Sequence, residues 1–137
     1  YGDDGSMVTD PEKVKRVVFC TGKVYYDLIE KRKELGVDDV AIARIEQLAP
    51  FPFDRVAREI SRYPDSAEVT WVQEEPRNMG AWHYVAPRIE TATKKLLPTT
   101  RRPGYVGRRT AASPASGFDT IHKFEQERLV LSALNRA

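Results

Sequence analysis

Two adjacent carboxylates, Glu74 and Glu75, are the first residues in this chain whose chemistry invites attention. A carboxylate pair can divide acid and base work when both groups reach one reacting atom. These two close the run AEVTWVQE (67–74), whose alternation marks a strand, and strand neighbours point to opposite faces. At most one of them can face a given site. Structural use, as a helix cap, an arginine partner or a subunit contact, is therefore the stronger reading.

A second candidate is Thr21-Gly22-Lys23, which follows one apolar run and opens a helical one. A helix amino end with a lysine beside it can hold a phosphate. The phosphate-binding loop, however, frames four residues between glycines and ends in Lys-Ser/Thr, whereas Val24 follows this lysine. The third candidate is the acid-free stretch 91–118, which carries Lys94, Lys95, Arg101, Arg102, Arg108 and Arg109. Arginines gathered around Gly104 and Gly107 could clamp a phosphate or an acidic partner through bidentate contacts; a solvated basic loop is the plainer alternative. Lys23 with Arg108 and Arg109 is the combination best suited to an anion or effector.

His83 and His122 stand far apart, and no Cys/His/Asp grouping has metal-ligand spacing. No nucleophile elbow, dinucleotide fingerprint or metal motif occurs, so no catalytic, cofactor-binding or metal residue is predicted within this chain. The single cysteine, Cys20, lies in an apolar run, which predicts a buried, inert thiol and a reducing compartment. A net charge of +2 gives no nucleic-acid footprint, and no apolar run approaches the roughly 20 residues of a membrane span.

The elements that must position these residues follow a rhythm. RVVFCT (16–21) reads as a strand covered on both faces. VYYDLIEKRKEL (24–35) reads as a helix with Val24, Leu28 and Leu35 on one face and Gly36 as its cap. DVAIARIE (39–46) is a second strand, and APFPFD (49–54) is a rigid turn with Asp54 capping a helix that carries Val56, Ile60 and Tyr63. The third strand stops at Pro76. A helix over about 80–97 follows, with Pro87 predicted to kink or split it. YVG (105–107) is a short fourth strand, 110–117 a small-residue loop, and 120–135 a last helix.

This alternation predicts a three-layer α/β domain: a mostly parallel sheet of four or five strands with helices on both faces. Residues 1–13 are predicted to be a linker or disordered lead-in, with the domain over 14–137. The first residue is Tyr1 and there is no targeting pattern, so the chain is expected to be a piece of something longer.

The strings VVFCTGKVYYDL, VAIARIEQLAPFPFD, WVQEEPRNMGAWHYVAPR and YVGRRTAASPASG…IH, in unbroken order, resemble one family. It is the carboxy-terminal, transketolase-like domain of the first component (decarboxylase) of 2-oxoglutarate dehydrogenase. The resemblance implies an enzyme that decarboxylates 2-oxoglutarate on thiamine diphosphate and magnesium, both held by other domains, and succinylates a lipoyl-bearing succinyltransferase. It also implies a homodimer and, in some bacterial members, acetyl-CoA or AMP as an effector; a further structural reading buries the corner Glu74, Glu75, Asn78 and Trp82 against the second subunit. The fragment alone is expected to be inactive. Location follows the source: mitochondrial matrix in a eukaryote, cytoplasm in a bacterium. A 2-oxoadipate-specific relative and a free-standing flavodoxin-like anion- or nucleotide-binding module are the competing readings.

Overall fold

The computed structural model describes residues 1–108 and 119–136. After a single 3₁₀ turn at Pro11–Lys13 the elements are β1 (Arg16–Cys20), α1 (Val24–Leu35), β2 (Val40–Arg44), α2 (Phe53–Ser61), β3 (Glu68–Pro76), α3 (Trp82–Leu96), β4 (Gly104–Arg108) and α4 (Asp119–Ala133). The four strands form one parallel sheet in the order β2-β1-β3-β4. This is the three-layer α/β arrangement expected, at the lower strand number among the described residues.

Alternation along β1 explains the layers. Val17 and Phe19 enter one core with Trp71, Val56, Ile60, Val85 and Ile89, so α2 and α3 cover that face. Val18 and Cys20 enter the other with Val24, Leu28, Val72, Leu129 and Leu134, under α1 and α4. Both faces of the strand are dry, which is why its sequence is a continuous apolar run rather than an alternating one. Burial drives the Cys20 thiol up to about 12, so it stays protonated and inert.

Local chemistry sets the helix limits. Gly36 ends α1 in the left-handed conformation at φ 64°, returning its N–H to the carbonyls of Arg32 and Lys33. Leu35, placed by sequence on the buried face, is half exposed at the last residue of the helix. Arg32 takes that face instead. Asp54 does not cap α2; Pro52 occupies the cap position and Asp54 sits in the first turn, where its charge complements the helix dipole. Pro87 does not split α3. The carbonyl it deprives of a donor is that of His83, and both residues lie on the exposed side, where water can substitute.

The expectation of a linker over residues 1–13 is corrected by the structure. Asp3 is buried, and its carboxylate accepts from Arg32 Nη1 at 2.5 Å and from the Ile42 amide at 2.8 Å. Val8 joins the core with Phe19 and Trp71. Tyr1 and Arg44 exchange backbone N–H and C=O along the outer strand β2, at 2.5 and 2.7 Å. The segment lacks periodicity because one polar side chain and a few backbone bonds hold it, and neither leaves an apolar pattern. Asp10 caps the 3₁₀ turn by accepting from the Glu12 amide.

Candidate functional site

β3 runs on to Pro76, which pairs with Arg108 of β4 across an irregularity in register. Beyond it the chain turns through Arg77, Asn78, Met79 and Gly80 into α3. The turn is organised by one buried side chain, Gln73. Its Oε1 accepts from Trp71 Nε1 at 3.0 Å and from the Trp82 amide at 3.1 Å. Its Nε2 faces the carbonyls of Glu75, Pro76 and Met79 at 3.2, 2.9 and 2.8 Å. A single amide thus accepts from the indole of the strand and the first helical N–H, and shares its two N–H groups among three carbonyls of the turn.

Gly80 completes the corner. It adopts φ +68°, and a Cβ there would stand 2.9 Å from Glu75 Oε2 and 3.1 Å from Gln73 Oε1. Tyr105 of β4 closes it from the side, its hydroxyl 3.1 and 2.8 Å from the carbonyls of Glu75 and Arg108 with one proton to share between them. Burial holds the Tyr105 phenol above its ordinary range, which keeps it a donor there. Trp82 packs edge-to-face on Tyr105 at 5.3 Å, and the Arg77 guanidinium lies over both rings, 5.7 and 5.1 Å from their centroids. The result is an exposed tip on a rigid base.

The two glutamates part company, as strand alternation requires. Glu74 turns toward α4, where its carboxylate accepts from Gln126 Nε2 at 2.9 Å. The same Nε2 reaches Asp27 Oδ2 in the first turn of α1 at 3.0 Å, and Gln126 Oε1 accepts from Arg108 at 3.3 Å. One side chain of the last helix therefore ties together the starts and ends of α1, β3 and β4. Glu75 points the other way, toward Gly80. Two carboxylates directed apart are not an acid/base pair.

The acid-free basic stretch does not converge on one point. Arg101 reaches Asp65 at 3.9 Å, Arg102 reaches Glu90 at 3.2 Å, and Arg108 reaches Glu125 at 3.9 Å. Each finds an acid supplied by another part of the chain, which a scan of 91–118 alone could not reveal. Lys23 lies exposed at the position preceding α1, after Gly22 at φ +77°, and among the described residues it joins no ion pair. Arg108 is turned into the Gln126 cluster. Arg109 lies outside the described residues.

A broad open groove of about 800 Å³ lies past the end of β2, lined by Phe19, Arg44, Ile45, Val56, Arg58 and Arg62 among others. Two of its guanidinium groups are internally committed, Arg44 to Glu46 and Arg62 to Glu59. Among the described residues, no group of three or more His, Cys, Asp or Glu is placed to hold a metal ion. No helix among them is long and apolar enough to cross a membrane.

Gln73, Arg77, Tyr105 and Gln126 escape sequence reasoning. The available signal for Gln73 was its position, two residues after Trp71 on the same strand face, where an apolar residue is the default.

The family described as 2-oxoglutarate dehydrogenase C-terminal matches residues 1–134. A 2-oxoglutarate dehydrogenase E1 component of Exiguobacterium sp. is 48% identical over 127 residues, 91% of this chain and 13% of the relative. The mitochondrial 2-oxoglutarate dehydrogenase of Dictyostelium discoideum is 46% identical over 131 residues, 93% of this chain and 12% of the relative. A probable 2-oxoadipate dehydrogenase complex component E1 homolog from the same organism is 44% identical over 132 residues, 96% of this chain and 14% of the relative. The chain thus spans about an eighth of the length of the curated relatives it matches. With the match running through the corner, the sheet and the amino-terminal segment alike, the chain belongs to the 2-oxoglutarate dehydrogenase C-terminal family.

Proposed function

We propose that this chain is the carboxy-terminal, transketolase-like domain of a 2-oxoglutarate dehydrogenase first component, an enzyme that decarboxylates 2-oxoglutarate and passes the succinyl group to a lipoyl-bearing succinyltransferase. The observation that carries the reading is the family match over nearly the whole chain, 1–134, with relatives of that name at 43–48% identity. Thiamine diphosphate and magnesium belong to the parent enzyme and not to this domain. The chain has no Gly-Asp-Gly motif. The domain's own work is structural: to present the corner at Glu74, Glu75, Asn78 and Trp82 to a second copy in a homodimer, beside a site built elsewhere.

Lys23, Arg108 and Arg109 remain our proposal for an effector anion, acetyl-CoA or AMP. Support comes from Lys23, exposed at the amino end of a 12-residue helix. Calorimetry on the intact enzyme tests it: charge-removing substitutions at the three positions should weaken effector binding, and unchanged affinity would end the proposal.

A second reading, a 2-oxoadipate enzyme, is favoured by one relative of that name at 44% identity. Turnover of both oxoacids by the intact enzyme separates the two. A preference for 2-oxoglutarate, with no turnover by the isolated 137-residue chain, is expected. A preference for 2-oxoadipate would move the assignment, and activity of the isolated chain would overturn it. Mitochondrial and bacterial relatives both occur, so the matrix or the bacterial cytoplasm is the proposed location according to source.

A further inference from the structure

The groove past the end of β2 is unevenly charged: Arg44, Arg55, Arg58 and Arg62 line it against Glu46 and Glu59. Both acids are already engaged. Glu46 accepts from Arg44. Glu59 is buried, and its carboxylate lies 2.7 and 2.9 Å from Arg62 Nη1. It also accepts from the Asp3 amide at 2.9 Å and the Tyr63 hydroxyl at 3.2 Å. Arg55 and Arg58 are the pair left over. Both are exposed on α2, and among the described residues neither guanidinium joins an ion pair, although Asp54 stands in the first turn of the same helix. Two positive charges therefore line an open groove whose own acids are taken.

The spacing of the arginines narrows the class of ligand. Arg55 and Arg58 are neighbours on one helix face, with Cβ atoms about 5–6 Å apart. Arg62 continues the row, about 10 Å along the axis from Arg55. A row suits an elongated anion, whereas a compact one needs donors that converge on a point. An extended peptide presents same-side residues roughly every 7 Å, so acids two residues apart fall along this row. The rest of the lining includes Phe19, Ile45, Pro50 and Val56, apolar surface for the residues between them. A guanidinium also takes a carboxylate through two parallel bonds. We infer that this groove takes an extended acidic segment of a partner protein, with Glu or Asp side chains two residues apart pairing with Arg55 and Arg58.

The test uses the intact enzyme, fluorescence anisotropy and a short rhodamine-labelled peptide of alternating glutamate and leucine. Binding that weakens as salt is raised is expected, and the same peptide with glutamine in place of glutamate should bind far more weakly. Arg55→Glu and Arg58→Glu should each weaken binding by about ten-fold, and Arg55→Gln and Arg58→Gln by less, since they add no repulsion. Lys95→Glu makes the same charge change at the exposed end of α3 and should leave the affinity unaltered. Thermal melting should hold in every variant, which separates lost binding from lost fold. No binding, or binding indifferent to both arginine reversals, would overturn the inference. An equal loss in Lys95→Glu would reduce the effect to net charge and overturn it as well. So would tripolyphosphate binding more tightly than the peptide with the same arginine dependence, because the groove would then belong to a compact anion.

Discussion

The carboxylate of Asp3 lies 2.5 Å from Nη1 of Arg32, with side-chain exposures of 0% and 1%, across 29 residues of sequence. Arg32 also donates to the Val40 carbonyl at 3.0 Å, so the pair joins the amino-terminal segment, α1 and the outer strand. Removing one member leaves a charge in a dry site with no counter-charge, which costs about 3–5 kcal/mol. Asp3→Ala and Arg32→Ala should each lose stability of that order in urea denaturation. A joint replacement by apolar residues of similar volume should lose much less. Equal losses in single and joint variants would show that the pair itself, not an orphaned charge, sets the stability.

Gln73 is the second test. Gln73→Ala strands the Trp71 indole N–H and the Trp82 amide, at about 1–3 kcal/mol for each buried group left unsatisfied. A lower denaturation midpoint and a red-shifted tryptophan emission are expected together, because the turn that holds Trp82 loses its anchor. Loss of stability with unchanged emission would mean that the corner keeps its shape without the amide.

Gly80 is the third. Alanine there combines a φ of +68° with a Cβ 2.9 Å from Glu75 Oε2. Substitution at a left-handed position that is also crowded should cost more than about 1 kcal/mol. Gly22→Ala is the matched control. It shares a positive φ of +77° but meets nothing within 4 Å, so its penalty should be the smaller. A reversed order would refute the packing argument.

Cys20 supplies a pH prediction. Its thiol is raised from 9.0 to about 12, first by burial, with Arg44 pulling slightly the other way. Below pH 9 the thiol is protonated in both the folded and unfolded chains and adds no pH dependence. Between pH 9 and 12 only the unfolded chain loses the proton, so stability falls as pH rises through that window. Cys20→Ala should flatten part of this fall, read as the denaturation midpoint against pH. A thiol reagent at pH 8 should modify wild-type Cys20 only as fast as the protein opens; immediate modification would contradict the burial.

How much of this was legible follows from the kind of pattern each part leaves. β1, β2 and the turn at Gly36 announce themselves, because two-sided burial and a left-handed cap demand particular residue types in consecutive positions. The same holds for Val56, Ile60 and Tyr63 on α2. Asp3, Gln73 and Gln126 do not, because each is a polar residue justified only by partners far away in sequence. The basic stretch misleads for the same reason: Asp65, Glu90 and Glu125 answer its arginines from outside the window. Pro87 leaves α3 unsplit, because helix geometry tolerates one missing bond on a wet face. Glu74 and Glu75 were correctly separated, since alternation is a property of the strand and needs no distant partner.

The exchange of backbone bonds between Tyr1 and Arg44 has a bearing on where this unit can be cut. β2 is the outermost strand, and its free side is a ready template for another chain. A boundary drawn at the first apolar run would unzip that margin and orphan Arg32 in one stroke. The two injuries differ in kind: one invites strangers to pair with the sheet, and the other strands a cation away from water. The unpatterned opening residues therefore act as a selvedge, finishing the fabric so that it does not fray into its neighbours.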